Sequence, residues 1–190
     1  MKKKLIQKKK IITWSRIING LTISRIILGL PIIFALKSGN NEIFIYLILI
    51  GILSDFFDGY FARKYDQQTV LGAKLDPLAD KILLLGPMIW LVQEDLVPLW
   101  AIWLLISREL LITSWRSNKI SGGPASFQGK LKTSLQFISI ILLLWPENWG
   151  NDYTINVLNK IGYISFWICL FLTYSSAIRY VFNQKENHQY

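Results

Sequence analysis

Four aspartates stand at 55, 58, 76 and 80, in a stretch otherwise apolar enough for the inside of a bilayer, and the basic pair Arg63-Lys64 divides them two and two. On insertion scales an aspartate at a helix centre costs about 2.5–3.5 kcal/mol, so four facing lipid would cost on the order of 10–14 kcal/mol, comparable to the whole stability of an ordinary domain. They must therefore face one another, water or a cation. Asp55 and Asp58 are three residues apart, and Asp76 and Asp80 four, so within helices each pair shares a face. A turn from about Lys64 to Thr69 makes the two helices antiparallel neighbours with opposed acidic faces. Converging negative charges repel in a low dielectric, and divalent cations are the usual remedy. A set of oxygen ligands favours a hard ion, Mg²⁺ or Mn²⁺, over Zn²⁺. The single His, His188, is in the polar tail, and the single Cys, Cys169, is in the last apolar segment.

The elements that must position these acids are apolar helices. The chain has 190 residues, of which 52% are hydrophobic and 14% aromatic, too apolar for a soluble domain of this length. The pattern predicts an all-α integral membrane bundle of six transmembrane helices over residues 17–182. A basic cytoplasmic segment, 1–16, precedes it and a polar cytoplasmic tail, 183–190, follows. The spans are expected at about Leu21–Leu36, Ile43–Tyr65, Val70–Val92, Leu99–Trp115, Gly129–Trp145 and Ile155–Val181. The basic start is read as uncleaved, because no small-residue cleavage site follows it and the next apolar run is of spanning length.

The net charge of +9 does not point to nucleic acid, because the basic residues cluster at segment ends, where the positive-inside rule places them. Counting them puts both termini, the Arg63 turn and the Arg116–Lys132 loop in the cytoplasm, beside anionic headgroups. Lys160 is the exception and is expected to snorkel outward. Several of the eight tryptophans, among them Trp90, Trp145 and Trp149, fall at segment ends and fit interfacial belts. Arg108 lies well inside an apolar segment and needs an anionic partner. The adjacent Glu109 points to a different helix face, so a bond between the two is not expected.

Written as a spacing, the acidic stretch is Asp-x2-Asp-Gly-x2-Ala-Arg-x8-Gly-x3-Asp-x3-Asp, filled by Asp55, Asp58, Gly59, Ala62, Arg63, Gly72, Asp76 and Asp80. It resembles the full motif of the CDP-alcohol phosphatidyltransferases, with no position missing. Arg108-Glu109, Arg116 and the run Gly129-Lys130-Leu131-Lys132-Thr133 with Gln136 resemble the phosphatidylglycerophosphate synthase branch of that family.

The resemblance implies transfer of a phosphatidyl group from CDP-diacylglycerol to glycerol 3-phosphate, with release of CMP, in an enzyme of the inner membrane that is a homodimer. It implies two ions, Mg²⁺ or Mn²⁺, on Asp55, Asp58, Asp76 and Asp80, with Asp80 also taking the acceptor proton. It implies CDP-diacylglycerol held by Asp55, Gly59, Ala62 and Arg63, and the acceptor phosphate held by Arg108, Arg116, Lys130 and Lys132. A pocket of cations favours the anion glycerol 3-phosphate over serine, choline or ethanolamine. Thr22 and Arg25, three apart and so nearly on one face with Asn19, would support the site, while the proline often found just upstream in relatives is absent. Inositol-phosphate and cardiolipin-forming transferases are the neighbouring alternatives. A small cation transporter would leave the Ala-Arg-x8-Gly spacing unexplained.

Overall fold

The computed structural model describes residues 20, 22–64, 70–117 and 127–186, with side chains described for 20, 22–57, 60, 78–112 and 131–178. Every described regular element is helical: α1 (22–37), α2 (Asn41–Lys64), α3 (Val70–Gln93), α4 (Leu99–Ser117), α5 (Phe127–Leu143), a 3₁₀ turn at Glu147–Trp149, and α6 (Asp152–Glu186). Contacts divide the chain into two compact units, 1–87 and 88–190, with the boundary inside α3.

In the first unit α1 ends as the sequence Lys37-Ser-Gly-Asn suggests. Gly39 takes φ +70°, its N–H bonds Leu36 O at 2.9 Å, and Asn40 N–H bonds Ala35 O at 2.9 Å. This crossed pair satisfies two carbonyls the helix would otherwise leave open, and it needs a residue tolerant of left-handed backbone. Small residues then let helices approach. A Cβ on Gly51 of α2 would lie 2.6 Å from Leu83 Cδ2 of α3, and one on Gly86 of α3 would lie 2.8 Å from Ile33 Cγ1 of α1. Around these points Ile32, Leu36, Phe44, Ile48, Leu83 and Leu84 are buried.

In the second unit α5 packs along α6 and α4 also lies against α6. Leu105, Ile140, Leu143, Phe166, Cys169 and Leu170 are buried there. Gly162 of α6 sits so close to α5 that an added Cβ would be 3.0 Å from Leu142 Cβ and 3.1 Å from the Leu143 backbone nitrogen. The observed helices match the expected spans to within a few residues. The largest differences are in α6, which starts at Asp152 and not at Ile155, and reaches Glu186, into the segment expected to be a tail. The earlier start has a physical cause. Asn151 Oδ1 accepts from Thr154 N–H at 2.9 Å and from Thr154 Oγ1 at 2.6 Å, capping the first turn before the apolar run begins.

Among the described residues one helix, Asp152–Ile178, is long and apolar enough to cross a membrane, with mean hydropathy 1.6. Leu131–Leu143 is apolar but shorter.

Candidate active site

Three helices of the first unit meet on one side chain. Arg25, from α1, is wholly buried, and its Nη1 donates to Asp55 Oδ1 of α2 at 2.5 Å and also to Asp80 Oδ1 of α3. Both oxygens rest on the same nitrogen, so they are no further apart than two hydrogen-bond lengths. The expected juxtaposition of acids from neighbouring helices is present for this pair. Asp55 is 54% and Asp80 36% exposed, so neither carboxylate is fully withdrawn from solvent.

A buried guanidinium without a counter-ion would cost several kcal/mol, and these charge-assisted bonds offset that cost. Thr22, one turn before Arg25, is also wholly buried. Periodicity therefore put both residues on the packed side of α1, as their spacing suggested. Asp58 stands three residues after Asp55 in α2, and Asp76 four before Asp80 in α3. Their side chains, with those of Gly59, Ala62, Arg63, Arg116 and Lys130, lie outside the described residues.

The second unit holds a separate polar set. Arg108 Nη2 donates to Ser176 Oγ at 2.6 Å, tying α4 to α6. Lys132 Nζ of α5 lies 2.8 Å from Glu109 Oε1 of α4, both side chains being 12% exposed. Cys169 Sγ donates to Lys132 O at 3.3 Å, and Tyr174 OH donates to Leu104 O at 3.2 Å. Arg108 and Glu109 thus turn to different neighbours, as adjacent helical residues must. Glu109, Ser176, Cys169 and Tyr174 are participants whose partners sequence reasoning missed. The available signal was Glu109 itself, a second charge inside an apolar helix that required a cation somewhere.

Residues 16–175 match the family model described as CDP-alcohol phosphatidyltransferase. The chain belongs to the CDP-alcohol phosphatidyltransferase family. A relative from Rickettsia typhi, named CDP-diacylglycerol–glycerol-3-phosphate 3-phosphatidyltransferase, is 37% identical over 171 residues, covering 85% of this chain and 93% of the relative. A protein of the same name from Wigglesworthia glossinidia brevipalpis is 34% identical, covering 80% of this chain and 84% of its own. Another from Bacillus subtilis is 43% identical over 101 residues, covering 52% of each.

CDP-alcohol phosphatidyltransferases are generally dependent on a divalent metal and are membrane-associated. The donor chemistry of this phosphatidyltransferase fits such an ion. Asp55 and Asp80 offer hard oxygens from two helices within the span one cation can bridge, on side chains that are part exposed. Among the described residues no cluster of three or more His, Cys, Asp or Glu is formed, the side chains of Asp58 and Asp76 being outside that set.

Proposed function

We propose that this phosphatidyltransferase moves a phosphatidyl group from CDP-diacylglycerol to glycerol 3-phosphate, releasing CMP. The observation that carries the reading is the meeting of Asp55 and Asp80, both motif positions, on the single nitrogen of Arg25. The names of relatives that span most of both chains support the choice of donor and acceptor.

In this reading Asp55 and Asp80, with Asp58 and Asp76, hold two ions, Mg²⁺ or Mn²⁺. When bound, these would neutralise the diphosphate and favour in-line displacement at phosphorus. Gly59 and Ala62 are small enough for the nucleotide to approach, and Arg63 takes a charge on the diphosphate. A glycerol 3-phosphate hydroxyl oxygen bonds to the phosphorus carrying diacylglycerol, the bond from that phosphorus to the CMP oxygen breaks, and Asp80 takes the hydroxyl proton. Arg108, Arg116, Lys130 and Lys132 are the cations assigned to the acceptor phosphate.

The same reading makes the protein a six-span bundle of the inner membrane with both termini in the cytoplasm, working as a homodimer. Apolar side chains on outward helix faces support a lipid surround: Ile23, Ile27, Leu30 and Phe34 recur at helical spacing on α1, as do Ile161, Ile164, Ile168 and Phe171 on α6.

The test is CMP release by purified protein given CDP-diacylglycerol and Mg²⁺. Release should require glycerol 3-phosphate. Release driven instead by inositol phosphate or by phosphatidylglycerol would reject this acceptor.

A further inference from the structure

Arg108 is a cation in an apolar helix, and α6 supplies a group that holds it. Its Nη2 donates to Ser176 Oγ at 2.6 Å. The proton of that hydroxyl is committed elsewhere, because Ser176 Oγ donates to Thr173 O, three residues earlier in α6, at 3.0 Å. Such back-bonding to the preceding turn fixes the hydroxyl, and with its proton so placed the oxygen meets Arg108 as an acceptor. A guanidinium carries its five N–H donors in one plane, so holding Nη2 sets the direction of them all.

A second tie between the same two helices bypasses the guanidinium. Tyr174 OH donates to Leu104 O at 3.2 Å, one turn before Arg108 in α4. The contact of α4 with α6 therefore has a support independent of Ser176, and what only the Ser176 bond supplies is the direction of the charge.

We infer that Ser176 is a positioning residue for the acceptor: it aims the Arg108 guanidinium at the phosphate of glycerol 3-phosphate. This rests on the reading of Arg108 as an acceptor-phosphate ligand. A phosphate takes a guanidinium best through two parallel N–H bonds, a geometry that is lost when the plane turns. The effect belongs to the acceptor alone, because the donor is assigned to Asp55, Gly59, Ala62 and Arg63. A guanidinium held the same way before and during the reaction contributes to binding in ground and transition state alike, so its misalignment raises KM more than it lowers kcat.

The experiment is steady-state CMP release by the purified full-length protein in detergent, with glycerol 3-phosphate and CDP-diacylglycerol varied in turn and thermal unfolding measured alongside. Ser176→Ala should raise KM for glycerol 3-phosphate by about tenfold or more, the scale of a lost hydrogen bond to a charged group, with kcat within about threefold of wild type. KM for CDP-diacylglycerol should not change. Ser176→Thr keeps the hydroxyl and should restore the acceptor KM. Ser176→Cys nearly keeps the size of the side chain but offers only a weak acceptor, so it should behave as Ser176→Ala does and carries the test if that variant fails to fold. Tyr174→Phe removes the other tie and should lower the unfolding temperature without moving the acceptor KM. An unchanged acceptor KM in Ser176→Ala or Ser176→Cys, a parallel rise in both KM values, or an equal rise in Tyr174→Phe would overturn the positioning role. Wild-type protein that releases no CMP with glycerol 3-phosphate would instead overturn the acceptor reading beneath it.

Discussion

Lys132 Nζ and Glu109 Oε1 lie 2.8 Å apart, with only 12% of either side chain exposed. A pair this buried holds α5 to α4 only while both members are charged, since removing one partner leaves the other desolvated. Glu109→Ala should cost roughly 3–5 kcal/mol of stability, and the double change Glu109→Met with Lys132→Met should recover most of it. Thermal unfolding of the three proteins checks this. A double variant as unstable as the single one would show that the residues do not act as a pair.

Asp80 carries the heaviest chemical assignment. Asp80→Asn keeps the shape of the side chain, and Asp55 still pairs with Arg25, so helices α1, α2 and α3 should stay assembled. CMP release should fall by about a thousandfold or more, on the scale of losing both a general base and a charge-stabilising ligand. Turnover within tenfold of wild type, with an unchanged unfolding temperature, would remove Asp80 from the catalytic role.

Metal removal tests the acidic site from the other side. EDTA should abolish CMP release from the wild-type protein, and Mg²⁺ or Mn²⁺ should restore it, because the four aspartates offer hard oxygen ligands. Full activity after exhaustive chelation would exclude the metal-assisted route.

How legible the molecule was depends on which force sets each feature. The helix expected over Val70–Val92 runs from Val70 to Gln93, close to the limits of the apolar run. The apolar run puts the start of α6 at Ile155, whereas the Asn151 side chain caps the helix from Asp152. Asp55 and Asp80 could be read as facing each other from helical spacing. That Arg25 stands between them could not: its spacing from Thr22 specifies a face of α1, and the neighbour packed on that face is a tertiary fact. The same holds for Lys132, whose pairing with Glu109 of α4 its place in the sequence does not specify.

The contact of α5 with α6 depends on an absent side chain. At Gly162 a methyl group would sit 3.0 Å from Leu142 Cβ and 3.1 Å from the Leu143 backbone nitrogen, atoms that cannot rotate away. Gly162→Ala should therefore destabilise by about 1–3 kcal/mol despite the better helix propensity of alanine. A rise in unfolding temperature would mean that α5 can shift without cost.

The cap at Asn151 tests whether an early helix start contributes to stability. Its side-chain oxygen satisfies Thr154 N–H, one of the donors that a first turn leaves without a helical partner. Asn151→Ala should lower stability by about 1 kcal/mol, and Asn151→Asp should hold or raise it, since an anion at a helix N-terminus also meets the favourable end of the dipole. Equal unfolding temperatures for the two variants would assign the start of α6 to its apolar contacts instead. In that case the Ile155 side chain, which approaches Gly150, is the next to truncate, and Ile155→Ala should then cost more than Asn151→Ala.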